Sequence, residues 1–210
     1  MADPSELYDA ILTGNATKAK EVTAAALEAN ADPNELVQQY MIPAMDEVGR
    51  RFECNEYFVP ELLIAARAMK TALEILTPKL VESGTSRVGR VVIGTVQGDL
   101  HDIGKNLVAS MLEGGGFEVV DLGVDVPPEK FIEAAKEKDG SIVALSALLT
   151  TTMTMMKSVV DSLQQAGMRE TTKVIIGGAP ITQLYADEIG ADGYSDNASA
   201  AVALARKLVE

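Results

Sequence analysis

From the first turn to about Val81, apolar residues return every three or four positions: Leu7, Ile11 and Leu12, then Ala19, Val22, Ala26 and Leu27, then Leu36, Val37 and Met41. At 3.6 residues per turn this spacing stacks them on one side of a helix. The punctuation agrees, because Gly14 can close one helix and Asn15 cap the next, Asp32-Pro33 is a cap followed by a first-turn proline, and Pro60 opens a long helix toward Leu76. The pattern predicts four helices that bury their stripes against one another as a bundle, with Pro43 and Pro78 each marking a kink or an end.

The stretch Glu82 to Gly89 has no apolar face and reads as a linker, which predicts a helical region over 1–85 and a second region over 86–210. Beyond it the period changes. Short β-branched runs at Val91–Val96, Phe117–Asp121, Ile142–Ser146 and Val174–Ile176, and a weaker one at Gly193–Tyr194, alternate with helical stretches, the last from about Ala198. Strand and helix in alternation predict a parallel sheet, and near-continuous apolar strands such as Ile142-Val143-Ala144-Leu145 fit a sheet covered on both faces. The expected fold is therefore α/β: a four-helix bundle followed by a Rossmann-like, flavodoxin-like sheet of five parallel strands, whose ligand crevice lies at the loops after the first and third strands.

Composition narrows the function classes. Of 210 residues 31 are acidic and 18 basic, a formal charge of −13, which disfavours a nucleic-acid backbone or an anionic membrane as partner. A lone Cys54 cannot form an intrachain disulfide, the first ten residues carry Asp3, Glu6 and Asp9 without a basic residue, and no apolar run approaches the roughly 20 residues of a membrane span. A cytoplasmic protein is expected.

The candidate chemistry lies after the first strand, in Gly98-Asp99-Leu100-His101-Asp102-Ile103-Gly104-Lys105-Asn106, which holds the single histidine. A Walker loop fails here, because Asp99 stands at its first glycine and Asn106 at its metal-binding hydroxyl. A dinucleotide fingerprint fails as well, since Asp99 would meet a pyrophosphate with like charge. One histidine cannot build a zinc site, yet it can serve as an axial ligand to a metal that arrives in its own macrocycle, with Asp99 accepting the second ring N–H. A loop histidine merely satisfied by a nearby aspartate is the competing explanation.

Asp99-x-His101-x-x-Gly104, then Ser146-x-Leu148, then Gly177-Gly178 resembles the signature of the corrinoid-binding domain family, from about residue 90 to the end. Residues 1 to about 85 resemble the helical cap joined to this domain in methionine synthase and in the corrinoid proteins of methanol, methylamine and methoxyaromatic methyltransferase systems. The resemblance implies cobalamin or a related corrinoid with its lower base displaced and His101 as the cobalt ligand, a base-off, His-on state. Asp99 and the Thr152 hydroxyl would complete a relay with His101. The cofactor would be contacted by Gly98, Leu100, Asp102 and Gly104 in the histidine loop, by Leu148, and along its nucleotide tail by Ser146, Thr150, Gly177, Gly178 and Ala198. Phe52 and Val59, in the segment Phe52 to Pro60, match the positions that lay apolar side chains over the corrin's upper face. Met153, Met155 and Met156 read as packing, and Glu47, Glu53 and Glu56 as a solvated face.

The function implied is a methyl carrier between a substrate-specific methyltransferase and an acceptor methyltransferase, with a corrinoid-reactivating protein as a further partner and no turnover by the chain alone. Methoxylated aromatics, methylamines and methanol are the candidate donors, the first favoured by a small margin, and tetrahydrofolate or a thiol the acceptor. A corrinoid-dependent regulator would need a DNA-binding element, for which no basic recognition helix stands in the sequence. The small subunit of a corrinoid-dependent mutase is not expected to carry the helical cap.

Overall fold

The computed structural model describes residues 5–82, 88–137 and 141–209. These form two compact units, the first of the described residues up to 82 with 113–116, the second of 88–112 with 117–209. The linker expected at Glu82–Gly89 falls, from 83 to 87, outside the described residues.

In the first unit the helices are α1 (Ser5–Leu12), α2 (Ala16–Glu28), α3 (Pro33–Leu36), α4 (Ile42–Glu53) and α5 (Val59–Glu82). Asn15 accepts the Lys18 amide at 3.0 Å, and Asp32 accepts that of Asn34 at 2.9 Å ahead of Pro33, so both expected caps form. A π-helical segment, Val37–Met41, joins α3 to α4, and the Ile42 amide reaches back five residues to the Val37 carbonyl. Pro43 is the physical reason, because its ring would crowd the carbonyl four residues earlier and the wider turn makes room. Thus Pro43 distorts a helix without ending it, and Pro78 lies inside α5, which runs on to Glu82. Leu7, Ile11, Leu36, Met41, Leu62, Met69 and Leu76 are fully buried, each worth roughly 1.5–3 kcal/mol on leaving water.

The second unit is a five-stranded parallel sheet in the order β2-β1-β3-β4-β5, with β1 Arg90–Thr95, β2 Glu118–Asp121, β3 Ile142–Ser146, β4 Lys173–Gly177 and β5 Gly193–Tyr194. Helices α6 (Ile103–Gly114), α7 (Pro128–Lys136), α8 (Thr154–Gln165), α9 (Gln183–Ile189) and α10 (Ala198–Val209) follow the strands in turn. One face of the sheet buries Val92, Val143, Leu145 and Val174 against Phe131 of α7 and Met156 and Leu163 of α8. All of β1 is buried, as a central strand covered on both faces must be. The strand order reverses at β1 and β3, so their carboxyl ends open on the crevice.

Candidate functional site

Thr95, Ser146 and Gly177 end β1, β3 and β4 in register, which brings three loops to one edge of the sheet. The fully buried Thr95 donates its hydroxyl to the His101 carbonyl at 2.8 Å and fixes the backbone beneath the histidine. Asp99 is also fully buried, and its carboxylate is bonded from both sides. Oδ1 faces the His101 ring Nδ1 at 2.7 Å and accepts the His101 amide at 3.1 Å. Oδ2 accepts the Thr152 hydroxyl at 2.7 Å and the amides of Leu148 and Leu149 at 2.8 and 3.3 Å. The loop after β3 therefore locks the loop after β1 through one carboxylate.

Burial by itself would raise the pKa of that carboxyl, but the Thr152 hydroxyl, the Leu148 amide and the ring and amide of His101 outweigh it and hold Asp99 well below the usual carboxylate range. An ionised carboxylate only accepts, so the neutral ring must carry its proton on Nδ1 and keep a lone pair on Nε2. Nε2 has no partner among the described residues, and the side chain is half exposed. The ring is thus a nitrogen donor with its orientation set from behind.

The donor set defines what can be held. Among the described residues no three His, Cys, Asp or Glu side chains assemble as a metal site, so a metal bound through His101 must bring its remaining ligands. The space fits a bulky group. A Cβ at Gly104 would meet nothing within 4 Å, and Leu100 and Ile103 on either side of His101 are largely exposed. Leu148 is exposed over the adjoining loop. A macrocycle with an open axial position suits this arrangement.

Of the other residues singled out in the sequence, Ser146 is half-buried and Thr150 exposed, while Gly177 ends β4 paired with Ser146 and Gly178 follows it. The close approach at Gly178 is to the chain itself: φ is +133°, and a Cβ would stand 1.9 Å from the Ala147 carbonyl oxygen. Gly98 also takes a positive φ, +83°, as the chain turns into the histidine loop. Asp102 is exposed, and its carboxylate accepts the Asn106 side-chain amide at 3.2 Å. Ala198 begins α10 and is buried. In the helical unit Phe52 is half-buried near the end of α4, and Val59 starts α5 exposed beside exposed Phe58. Glu47 is not simply solvated: it accepts Arg50 and Arg51 at 2.7 and 2.8 Å, which pull its carboxyl below the usual range. Met156 is core, with Met153 and Met155 packed against it.

Three supports escaped the sequence reading. They are Thr95, the buried Lys105 whose ammonium pairs with Asp121 at 2.5 Å, and Asp125, whose carboxylate accepts the Gly98 amide at 2.7 Å. The signal for the last two was topological, because a strand order of 2-1-3 lays the loop after β2 along the histidine loop.

Two families described as B12 binding domain match the chain, one over residues 89–203 and the other over residues 5–77. The chain is 46% identical over 203 residues to trimethylamine corrinoid protein 1 of Methanosarcina acetivorans, covering 96% of this chain and 94% of that protein. It is 45% identical over 208 residues to dimethylamine corrinoid protein 1 of the same organism, covering 97% and 96%. Among solved structures it is similar to a cobalamin-binding protein from Desulfitobacterium hafniense DCB-2, with a TM-score of 0.82, 35% identity and full coverage of both chains. It also resembles a chain of the methanol:cobalamin methyltransferase complex of Methanosarcina barkeri, with a TM-score of 0.84 and 30% identity over 97% of this chain and 78% of that one.

Proposed function

The chain belongs to the B12 binding domain family, and from that premise we propose that it carries a methyl group on a bound corrinoid from a substrate-specific methyltransferase to an acceptor methyltransferase. The observation that carries this reading is the Asp99–His101 pair, a 2.7 Å contact that leaves Nε2 free at a half-exposed ring. When bound, a corrinoid supplies a cobalt centre that takes up a methyl group as a nucleophile and gives it up again. The residues of the chain orient and tune. His101 Nε2 would hold the metal in place of the cofactor's own base, the base-off, His-on arrangement, with Asp99 keeping the proton on Nδ1. Asp99 would also hold the ring in place when it is not bound to the metal. Thr152 completes the relay, since its hydroxyl holds the carboxylate from the other side.

Gly98, Leu100, Asp102, Gly104 and Leu148 border the ring system in this reading, while Ser146, Thr150, Gly177, Gly178 and Ala198 border the displaced tail. Phe52 and Val59, in the helical unit, are assigned by the resemblance alone as apolar cover for the corrin. The donor we assign is a methylamine, because two of the relatives described above carry methylamines in their names and none carries a methoxylated aromatic. The acceptor is tetrahydrofolate or a thiol such as coenzyme M. A net charge of −13 suits partners with basic docking surfaces, a corrinoid-reactivating protein among them.

The test is reconstitution of wild type and His101→Ala with hydroxocobalamin, reduction to cobalt(II), and paramagnetic resonance. Wild type is expected to carry axial-nitrogen coupling and the variant to lose it; identical spectra would remove His101 as ligand. Turnover of methylamines is expected only with the methyltransferases added, and sustained turnover by the purified holoprotein alone would overturn the carrier reading.

A further inference from the structure

After β2 the chain does not turn away from the sheet. The Leu122 amide donates to the Ile93 carbonyl at 2.8 Å, the Gly123 carbonyl accepts the Thr95 amide at 3.0 Å, and the Val126 amide donates to the Thr95 carbonyl at 3.0 Å. These bonds carry the parallel pairing past the end of β2 to the last residue of β1, and Val96 and Val126 form one more bridge. Between them stands Asp125, with φ of +53°, a left-handed conformation that an L side chain adopts at a cost and that glycine or asparagine adopts more readily. It is exposed, so packing does not force it there. Its bonds give the reason: the carboxylate accepts the Gly98 amide at 2.7 Å, and its own amide donates to the Asp99 carbonyl at 3.0 Å.

We propose that Asp125 is a positioning residue that clamps the His101 loop from the side opposite Thr152, gripping Gly98 and Asp99 and so setting where the His101 ring presents Nε2. The clamp rests on the geometry above, and its bearing on cobalt ligation rests on the proposed role of His101. Asp99 is then held on two sides. The β3 loop bonds its carboxylate through Leu148, Leu149 and Thr152, and the β2 loop bonds its backbone through Asp125. A second tie runs parallel to the first. Lys105 bonds Asn106 at 2.6 Å and Asp121 at 2.5 Å, and Asp121 accepts the Gly123 amide at 2.9 Å, so the start of α6 and the turn leading to Asp125 share one buried ammonium. A loop that must present a ring at one height gains from restraint by the neighbouring loops on both sides. Gly98, at φ +83°, is the position where it would otherwise swing.

Three substitutions separate the clamp from backbone strain. Asp125→Gly relieves the strain and removes the carboxylate, Asp125→Asn retains an oxygen acceptor and tolerates the conformation, and Asp125→Ala loses both. The fold is expected to survive in all three, as thermal melts would show. Amide hydrogen exchange at Gly98 in the full chain without cofactor is expected to quicken roughly tenfold or more in the Gly and Ala variants and to stay near wild type in the Asn variant, the loss expected of a bond to a charged acceptor. After reconstitution with hydroxocobalamin and reduction, the fraction of cobalt(II) with axial-nitrogen coupling is expected to fall in Asp125→Gly and to recover in Asp125→Asn. Wild-type exchange at Gly98 in Asp125→Gly would overturn the clamp, and full nitrogen coupling despite quickened exchange would overturn its positioning role. If wild type itself lacked nitrogen coupling, the reading of His101 as ligand would fail, and the exchange rates would still decide whether Asp125 holds the loop.

Discussion

Behind the His101 ring the chain is buried and bonded to saturation, whereas in front of it, within three residues, it lies open. Asp99 is fully buried and accepts from His101, Leu148, Leu149 and Thr152, and Gly178 has no room for a methyl group. On the other side Leu100 is 71% exposed, Ile103 is 86% exposed, and Gly104 has nothing within 4 Å of the Cβ it lacks. The two regions answer to different demands. Behind the ring, the fold itself accounts for Asp99 and Gly178, because replacing the first strands donors and replacing the second overlaps backbone. In front of it the fold makes no such demand, and residue identity there reports on what the site receives. Substitutions can test this division by asking whether stability or binding suffers.

The largest loss of stability is expected from Gly178→Ala. Its Cβ would lie 1.9 Å from the Ala147 carbonyl oxygen at a φ of +133°, so backbone must move, at a cost of about 4 kcal/mol. A thermal melt of the sheet unit reads this directly, and an unshifted transition would place Gly178 with the open region instead. Asp99→Ala comes next, at about 2–3 kcal/mol, because it leaves the Leu148 and Leu149 amides and the Thr152 hydroxyl without their acceptor. Its pH dependence has a definite sign. The folded-state pKa of Asp99 is depressed, so its contribution is fully present above the unfolded value of about 3.9 and is lost as the pH falls through the lower folded value. The gap between wild type and Asp99→Ala in chemical denaturation should therefore be constant above about pH 5 and narrow only below about pH 4. A gap that closed near neutrality would mean that another group carries the linkage.

The open region was the more legible of the two in the sequence, and the reason is separation along the chain. Asp99 and His101 sit in one loop just ahead of Gly104, so their spacing alone put a carboxylate next to a ring nitrogen. The closed region is completed by Thr95, Lys105 and Asp125, which find their partners only through the sheet order, and Asp125 in a stretch of loop looks like any solvated acid. The same contrast runs through the fold. Ile142–Ser146 reads as a strand because it opens on two β-branched residues and is apolar up to Ser146. β1 starts one residue earlier than its apolar run, since the buried Arg90 guanidinium donates to the Ala134 carbonyl and to Glu137, partners more than forty residues away. Caps at Asn15 and Asp32 were local and visible, whereas the π-helical turn at Val37–Met41 is the response of a backbone to Pro43 and has no hydrophobic signature.

Thr152 sharpens the comparison at a smaller scale. It is 8% exposed, and its hydroxyl lies 2.7 Å from Asp99, so Thr152→Val keeps the volume and deletes one bond to a charged acceptor, a loss of about 1.5–2 kcal/mol. Thr152→Ser keeps the bond and is expected within about 0.5 kcal/mol of wild type. If valine and serine melted alike, the hydroxyl would have no part in holding the carboxylate.

Gly104→Ala carries the smallest effect on the fold and the clearest on the division between the regions. Gly104 is the second residue of α6, where alanine is a better helix former, and the added methyl group meets no atom within 4 Å. The folded chain should therefore gain up to about 0.5–1 kcal/mol. A residue that the fold would rather replace has its reason elsewhere, and in the proposed function that reason is a corrin approaching the start of α6 too closely for a side chain. Titration with hydroxocobalamin should then bind the variant at least about tenfold more weakly, while its melt is unchanged or higher, the opposite pairing to Gly178→Ala. Equal affinity in wild type and Gly104→Ala would show that the space before the ring is not filled by the cofactor at this point, and the line between the two regions would have to be redrawn with Gly104 outside the site.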